Sequence, residues 1–147
     1  MMNHFTHMRR RVVAAALMLI TLSALLTILP STPAAARDSR IRDTFCSHDW
    51  RDGKREIKRL IHCTVRRWHV PGGARKAIYV ARRESGLRPH AYNRGGYKGL
   101  YQQSTRYWPG RARQYGFPHW SAFNGRANVI VSIRMVHRGG WGPWSTA

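Results

Sequence analysis

Acidic side chains are scarce in this chain of 147 residues: 6 Asp and Glu stand against 26 Lys and Arg, a formal charge of +20. None of the six lies beyond position 84. A pair of catalytic carboxylates drawn from the C-terminal half is therefore excluded. Cysteine is almost as rare, with only Cys46 and Cys63, and these two with His62 or His69 lack the paired spacing of a metal site. Lysine is sparse too, at 4 against 22 arginines. There is one long apolar run, no internal repeat, no low-complexity segment and no recognisable nucleic-acid reader motif.

The apolar run covers residues 12–29, behind the basic start Arg9, Arg10 and Arg11. Pro30 and Pro33 break it, and Ala34-Ala35-Ala36 follows as an A-x-A cleavage site. Residues 1–36 therefore read as an export signal. At 18 residues the run is also just long enough to serve as an uncleaved anchor. Either way the arginines stay inside and the rest is delivered across the membrane, to the cell envelope or beyond. Cleavage leaves 111 residues, room for one small domain: an N-terminal segment at 37–50 and a folded domain at 51–147, with no membrane span.

Removing the three signal arginines from 26 leaves 23 basic residues against 6 acids, a formal +17. A charge that large calls for an anionic partner or surface. Outside the cytoplasm that means wall polymers, lipid headgroups or free nucleic acid, and a specific nucleic-acid role is disfavoured by the missing reader motif and the export signal. In an oxidising compartment the default for Cys46 and Cys63 is a disulfide, a useful staple for a small domain.

Helical spacing predicts a first helix over residues 52–69. Ile57, Leu60, Ile61, Val65 and Trp68 form its apolar stripe, with Lys54, Arg55, Lys58, Arg59, Arg66 and Arg67 on the wet side. Asp49 or Asp52 is placed to cap it. His62 and His69 share a face, an arrangement that usually signifies nothing. Pro71-Gly72-Gly73 ends the element. Gly95-Gly96 is a turn signal, and residues 97–103 suit a short hairpin. Ser104 is a candidate cap for a second short helix through Arg113, opened by Pro109-Gly110. Tyr107, Trp108, Tyr115, Phe117 and Trp120 make this region aromatic, and in so small a domain most of them belong to the core. The last helix starts at Asn124, carries Ala127, Ile130, Val131, Arg134 and Met135 at helical spacing, and closes at Gly139-Gly140. The tail Trp141-Gly142-Pro143-Trp144 is expected to fold back over the domain.

The chain is organised around residues 74–103, centred on Glu84. Ala77, Val80, Ala81 and Glu84 fall at i, i+3, i+4 and i+7 and so share one helical face. Ser85-Gly86 and Pro89 end that helix. A carboxyl group at the last turn of a core-facing helix is half buried by position. Burial disfavours the ionised form, which is what a general acid at neutral pH needs. The competing reading is a structural salt bridge to an arginine; Arg82 and Arg83 project from other faces and Arg88 lies past the break.

Glu84-Ser85-Gly86 at a helix end, then Pro89, Ala91 and Asn93, then Gly99-Leu100-Tyr101-Gln102, resembles the ESG…P.A.N…GLMQ signature of lytic transglycosylases of the soluble type. Phe123-Asn124, Ala127-Asn128 and the terminal Gly-Trp-x-Pro-Trp resemble the small lysozyme-like variants of that family. The likeness spans residues 74–144. It implies a small, mainly α, lysozyme-like (α+β) domain with a short hairpin and a cleft for peptidoglycan glycan strands, acting as a monomer without cofactor or metal. It also implies that Glu84 is catalytic, that Ser85 supports it, and that Gln102, Tyr101, Asn93 and Asn128 contact substrate. Tyr101 stands where the family has Met. The downstream AYN-x-G motif with its orienting tyrosine is absent, which leaves Tyr92, Tyr97 or Tyr101 as substitutes.

Two-carboxylate glycosidases hold their acids about 5–5.5 Å apart to retain or about 6.5–9.5 Å apart to invert. Here the other acids are Asp38, Asp43, Asp49, Asp52 and Glu56, all ahead of Glu84. A lytic transglycosylase needs one, so the census favours transglycosylation over lysozyme-type hydrolysis, unless Asp43 or Asp49 folds into the cleft. The non-enzymatic alternative is a basic protein that only binds cell wall.

Overall fold

The computed structural model describes residues 45–144. The expected signal, the cleavage site, Asp38 and Asp43 lie outside them. The described residues are mainly helical, with four α-helices, one 3-10 turn, a three-stranded antiparallel sheet and one disulfide. None of these helices is long and apolar enough to cross a membrane.

The first helix, α1, is Lys54–Arg67, shorter than its spacing predicts. It buries Ile57, Leu60, Ile61, Thr64 and Val65, while Trp68 falls outside as the C-cap. Neither Asp49 nor Asp52 caps it. Asp49 instead accepts the Arg51 N–H at 3.0 Å and so starts the 3-10 turn Trp50–Asp52, and Gly53 separates that turn from α1. The Arg51 N–H, and after it the guanidinium, holds the Asp49 carboxyl below the usual carboxylate range. Trp50 is buried against Gly125, where an added Cβ would come within 2.8 Å of the ring.

A disulfide joins Cys46 to Cys63 with Cα atoms 5.8 Å apart, tying the segment ahead of the 3-10 turn to the last turns of α1. The side chain of Arg126 reaches back to the carbonyls of Phe45 and Cys46. Closing an 18-residue loop stabilises a fold by about 3 kcal/mol in the chain-entropy model. Non-reducing mass analysis of protein from an oxidising compartment is expected to show two hydrogens missing. Reduction is expected to lower the melting temperature by roughly 10–20 °C; two free thiols in that protein would remove the staple from the account.

Helix α2, Gly73–Ser85, buries Ala77, Val80, Ala81 and Ser85. It stops at Gly86, whose φ of 65° is the left-handed conformation that glycine adopts most cheaply. The Gly86 N–H then reaches Arg82 O and the Leu87 N–H reaches Ala81 O, while the Leu87 side chain is buried. This cap fixes where the last turn, and Glu84 with it, comes to rest.

The expected hairpin is a three-stranded sheet: β1 Tyr92–Asn93, β2 Tyr97–Lys98 and β3 Gln103–Ser104. Tyr92 pairs with Lys98, and Tyr97 pairs with Ser104. Asn93 builds the first turn, its Oδ1 accepting the Gly95 N–H at 2.7 Å. Gly99 opens the second with φ 80°, and a Cβ there would sit 2.2 Å from Ala122 O. Ser104 belongs to β3, so it does not cap α3, Trp108–Gln114; that helix follows Tyr107 without a side-chain cap.

Helix α4, Gly125–Gly139, begins as its sequence predicts, with Asn124 Oδ1 accepting the Ala127 N–H at 3.0 Å. From Ala127 to Ile133 every residue is buried. Burying a Val or Ile side chain is worth about 1.5–3 kcal/mol, so this helix is the spine of the core. Val129, Ile133 and Val136 face a cluster shared with α1 and α2, whereas Ala127, Ile130 and Val131 face Trp108, Tyr115 and Phe117. The tail does fold back: Trp141 Nε1 donates to Pro71 O and Trp144 Nε1 to Tyr101 O, each at 2.8 Å.

Candidate functional site

Glu84 is half-buried at the C-terminal end of α2. It lines a groove of about 470 Å³ together with Asn93 and Tyr97 from the first two strands, Gln102, Gln103 and Ser104, Tyr107 and Arg111 from around α3, and Pro143-Trp144 from the tail. Three of the site residues expected from sequence therefore meet in one concavity: Glu84, Gln102 and Asn93.

Ser85, Tyr101 and Asn128 do not reach the groove. Each is buried, at 3 %, 0 % and 0 % exposure, with its polar atoms committed to the scaffold. The Ser85 hydroxyl lies 2.9 Å from both Ala81 O and Leu100 O, so it ties the end of α2 to the turn that carries Gln102. Tyr101 packs edge-on against Trp144 and donates its hydroxyl to Ala77 O at 3.0 Å. Asn128 accepts the Tyr101 N–H at 2.8 Å and donates to Ala122 O and Lys98 O. Their common effect is to bolt residues 98–102 onto α2 and α4. They position the groove wall and offer a ligand no surface. Tyr101 is thus sealed away from any orienting role. Tyr92 is absent from the lining, which leaves Tyr97, 44 % exposed.

Gln102 sits at φ 44°, a left-handed conformation for a side chain that seldom adopts it. Such outliers cost of order 1–3 kcal/mol and cluster at functional sites. Its Nε2 holds Gly99 O at 2.9 Å and Ala91 O at 3.3 Å, so the amide closes its own turn. The amide carbonyl accepts no hydrogen bond from the described residues.

Arg111 and Tyr107 line the groove without having been marked as site residues by the sequence. Arg111 Nη1 donates to Gln103 Oε1 at 2.7 Å, and the guanidinium carbon stands 5.3 Å from the Tyr107 ring centroid. Gln103, 1 % exposed, is itself held by Ser132 of α4 at 2.7 Å. Among 22 arginines nothing local marks Arg111; its place depends on β3 and α3 meeting.

Among the described residues Glu84 is the only carboxylate that lines this groove. Asp49 lines a different hollow, beside Trp120 and Asn124, and pairs with Arg51. Glu56 is taken by His48 at 3.1 Å and Arg59 at 2.6 Å. No group of three or more His, Cys, Asp or Glu among the described residues is placed to hold a metal ion. The groove can supply one proton-transfer group, amide and hydroxyl hydrogen-bonding partners, aromatic faces and a fixed cation.

Burial pushes the Tyr101 phenol far above its ordinary value. The folded form therefore keeps the proton that the unfolded chain loses near pH 10. That contribution to stability is whole below about pH 10 and is lost as pH rises above it, at about 1.4 kcal/mol per pH unit. Unfolding free energies from urea titrations are expected to fall less steeply above about pH 10 for Tyr101→Phe than for the wild type by that increment. Parallel slopes would place the ionisation elsewhere.

No protein-family model matches the chain, and no curated protein or solved structure matches it at a significant level.

Proposed function

We propose that this protein is an exported, monomeric peptidoglycan-cleaving enzyme with a lysozyme-like fold. It acts as a lytic transglycosylase on the β-1,4 bond between N-acetylmuramic acid and N-acetylglucosamine. The observation that carries the reading is a groove in which Glu84, half-buried at a helix end, is the single carboxylate among the described residues and shares the lining with a strained glutamine, an asparagine and a tyrosine.

In this mechanism Glu84 protonates the glycosidic oxygen as the bond to the muramic C1 breaks. The substrate's own N-acetyl oxygen stabilises the cation, so no second protein carboxylate is required. The Glu84 carboxylate then takes the proton from the muramic 6-hydroxyl, whose oxygen closes on C1 to give a 1,6-anhydro ring. Glu84 ends protonated and ready for the next turn. Gln102 and Asn93 hold the sugars by their amides, and Tyr97 or Tyr107 offers a ring face for stacking.

Loss of turbidity from purified walls tests the reading against a protein that merely binds them. Wild type is expected to clear the walls and Glu84→Gln is not; equal clearing by both would make this a wall-binding or wall-disrupting protein. Attachment is a separate matter. With 23 basic residues on the exported part, and with Lys58, His62, Arg75 and Arg82 converging on one hollow between α1 and α2, affinity for walls is expected to fall steeply between low and high salt. Binding that stays flat would assign attachment to the sugars alone.

A further inference from the structure

We propose that Arg111 is a carboxylate-binding side chain of the groove, and that the ligand it selects is an acidic glycan with a carboxylate on or beside the sugar next to the cleaved bond. This deepens the glycan-cleaving reading and rests on it.

Arg111 is held from two sides. Its Nη1 is anchored on Gln103 Oε1 at 2.7 Å, and Gln103 cannot swing because Ser132 holds its other end in the buried interior. Its guanidinium lies against the Tyr107 ring. Immobilising an arginine side chain costs rotamer freedom, and a solvent-facing arginine has no need of such holding. A guanidinium carries five N–H donors in a planar fork. Gln103 uses one of them, and no carboxylate among the described residues pairs with Arg111. The remaining donors suit a carboxylate taken two bonds at a time. Arg111 is half-buried, so salt screens it less than the exposed arginines around it. It shares the groove with Glu84, so a glycan seated for cleavage has a fixed cation within its own site.

The test measures binding in a Glu84→Gln background, which prevents turnover. The probes are an N-acetylmuramyl oligosaccharide with free lactyl carboxylates and the same oligosaccharide with those groups converted to carboxamides. The parent is expected to bind the acid form more tightly. Arg111→Gln is expected to weaken the acid form about 10–100-fold and to leave the amide form within a few-fold. Arg111→Lys keeps the charge without the fork and is expected to lose about tenfold on the acid form alone. It carries the test if Arg111→Gln melts early. Equal losses on both probes, or no loss on the acid form, would overturn the assignment while leaving the glycan reading intact. Failure of the parent to bind either probe would overturn both.

Discussion

Glu84→Gln is expected to fold like the wild type and to lose nearly all cleavage of a defined glycan, by about 10²–10⁴-fold from the acid–base step alone. The substitution keeps the size and shape of the side chain and removes the proton that moves. Glu84 is half-buried at a helix end, and the melting temperature of the variant is measured beside its activity to separate lost chemistry from lost fold. The controls are the other acids. Asp49 is bound to Arg51 beside a different hollow, Asp52 closes the 3-10 turn and Glu56 is paired twice. Asp43→Asn, Asp49→Asn and Asp52→Asn are each expected to leave activity within a few-fold. Activity lost in one of them would identify a partner acid and convert the reading to hydrolysis.

Asn128→Ala is expected to be the costliest of the scaffold substitutions, at about 3–5 kcal/mol. Three backbone groups, the Tyr101 N–H, Ala122 O and Lys98 O, lose their partner at once, and an unsatisfied buried polar group costs about 1–3 kcal/mol. A small domain is stable by only about 5–15 kcal/mol in all. Chemical denaturation is the direct measurement. The result separates two roles for this side chain. A substrate contact would raise KM with unchanged stability, whereas a brace lowers the denaturation midpoint and disturbs activity only through the Gly99–Gln102 turn.

Helix α2 was legible in the sequence because its apolar face and its stop signals agree: Ala77, Val80 and Ala81 point one way, and Gly86 with Pro89 ends it. Asn124, the two cysteines and the folded-back tail were legible for similarly local reasons. The start of α1 was not, because Asp49 sits where either a helix or a 3-10 turn can use its carboxylate, and the break at Gly53 with Trp50 packed against Gly125 accompanies the turn. Strand β1 escaped because two residues carry no periodicity. The site divided along the same line. Sequence puts Glu84, Gln102 and Asn93 in one motif, and folding brings all three to the groove. Ser85, Tyr101 and Asn128 stand in the same motifs, yet polarity alone does not say whether a side chain faces a ligand or braces the backbone behind it. Arg111 left no local signal, since it acquires its place only through Gln103 and Ser132.

In the proposed mechanism one carboxylate, with the substrate's own 6-hydroxyl, cleaves the glycan. Mass spectrometry of muropeptides released from a defined glycan tests it most directly. Transglycosylation leaves 1,6-anhydromuramic ends, each one water lighter than a reducing end, and these are expected to dominate from the earliest time points. Products with reducing muramic ends, formed by the wild type and taking up labelled oxygen from water, would contradict it.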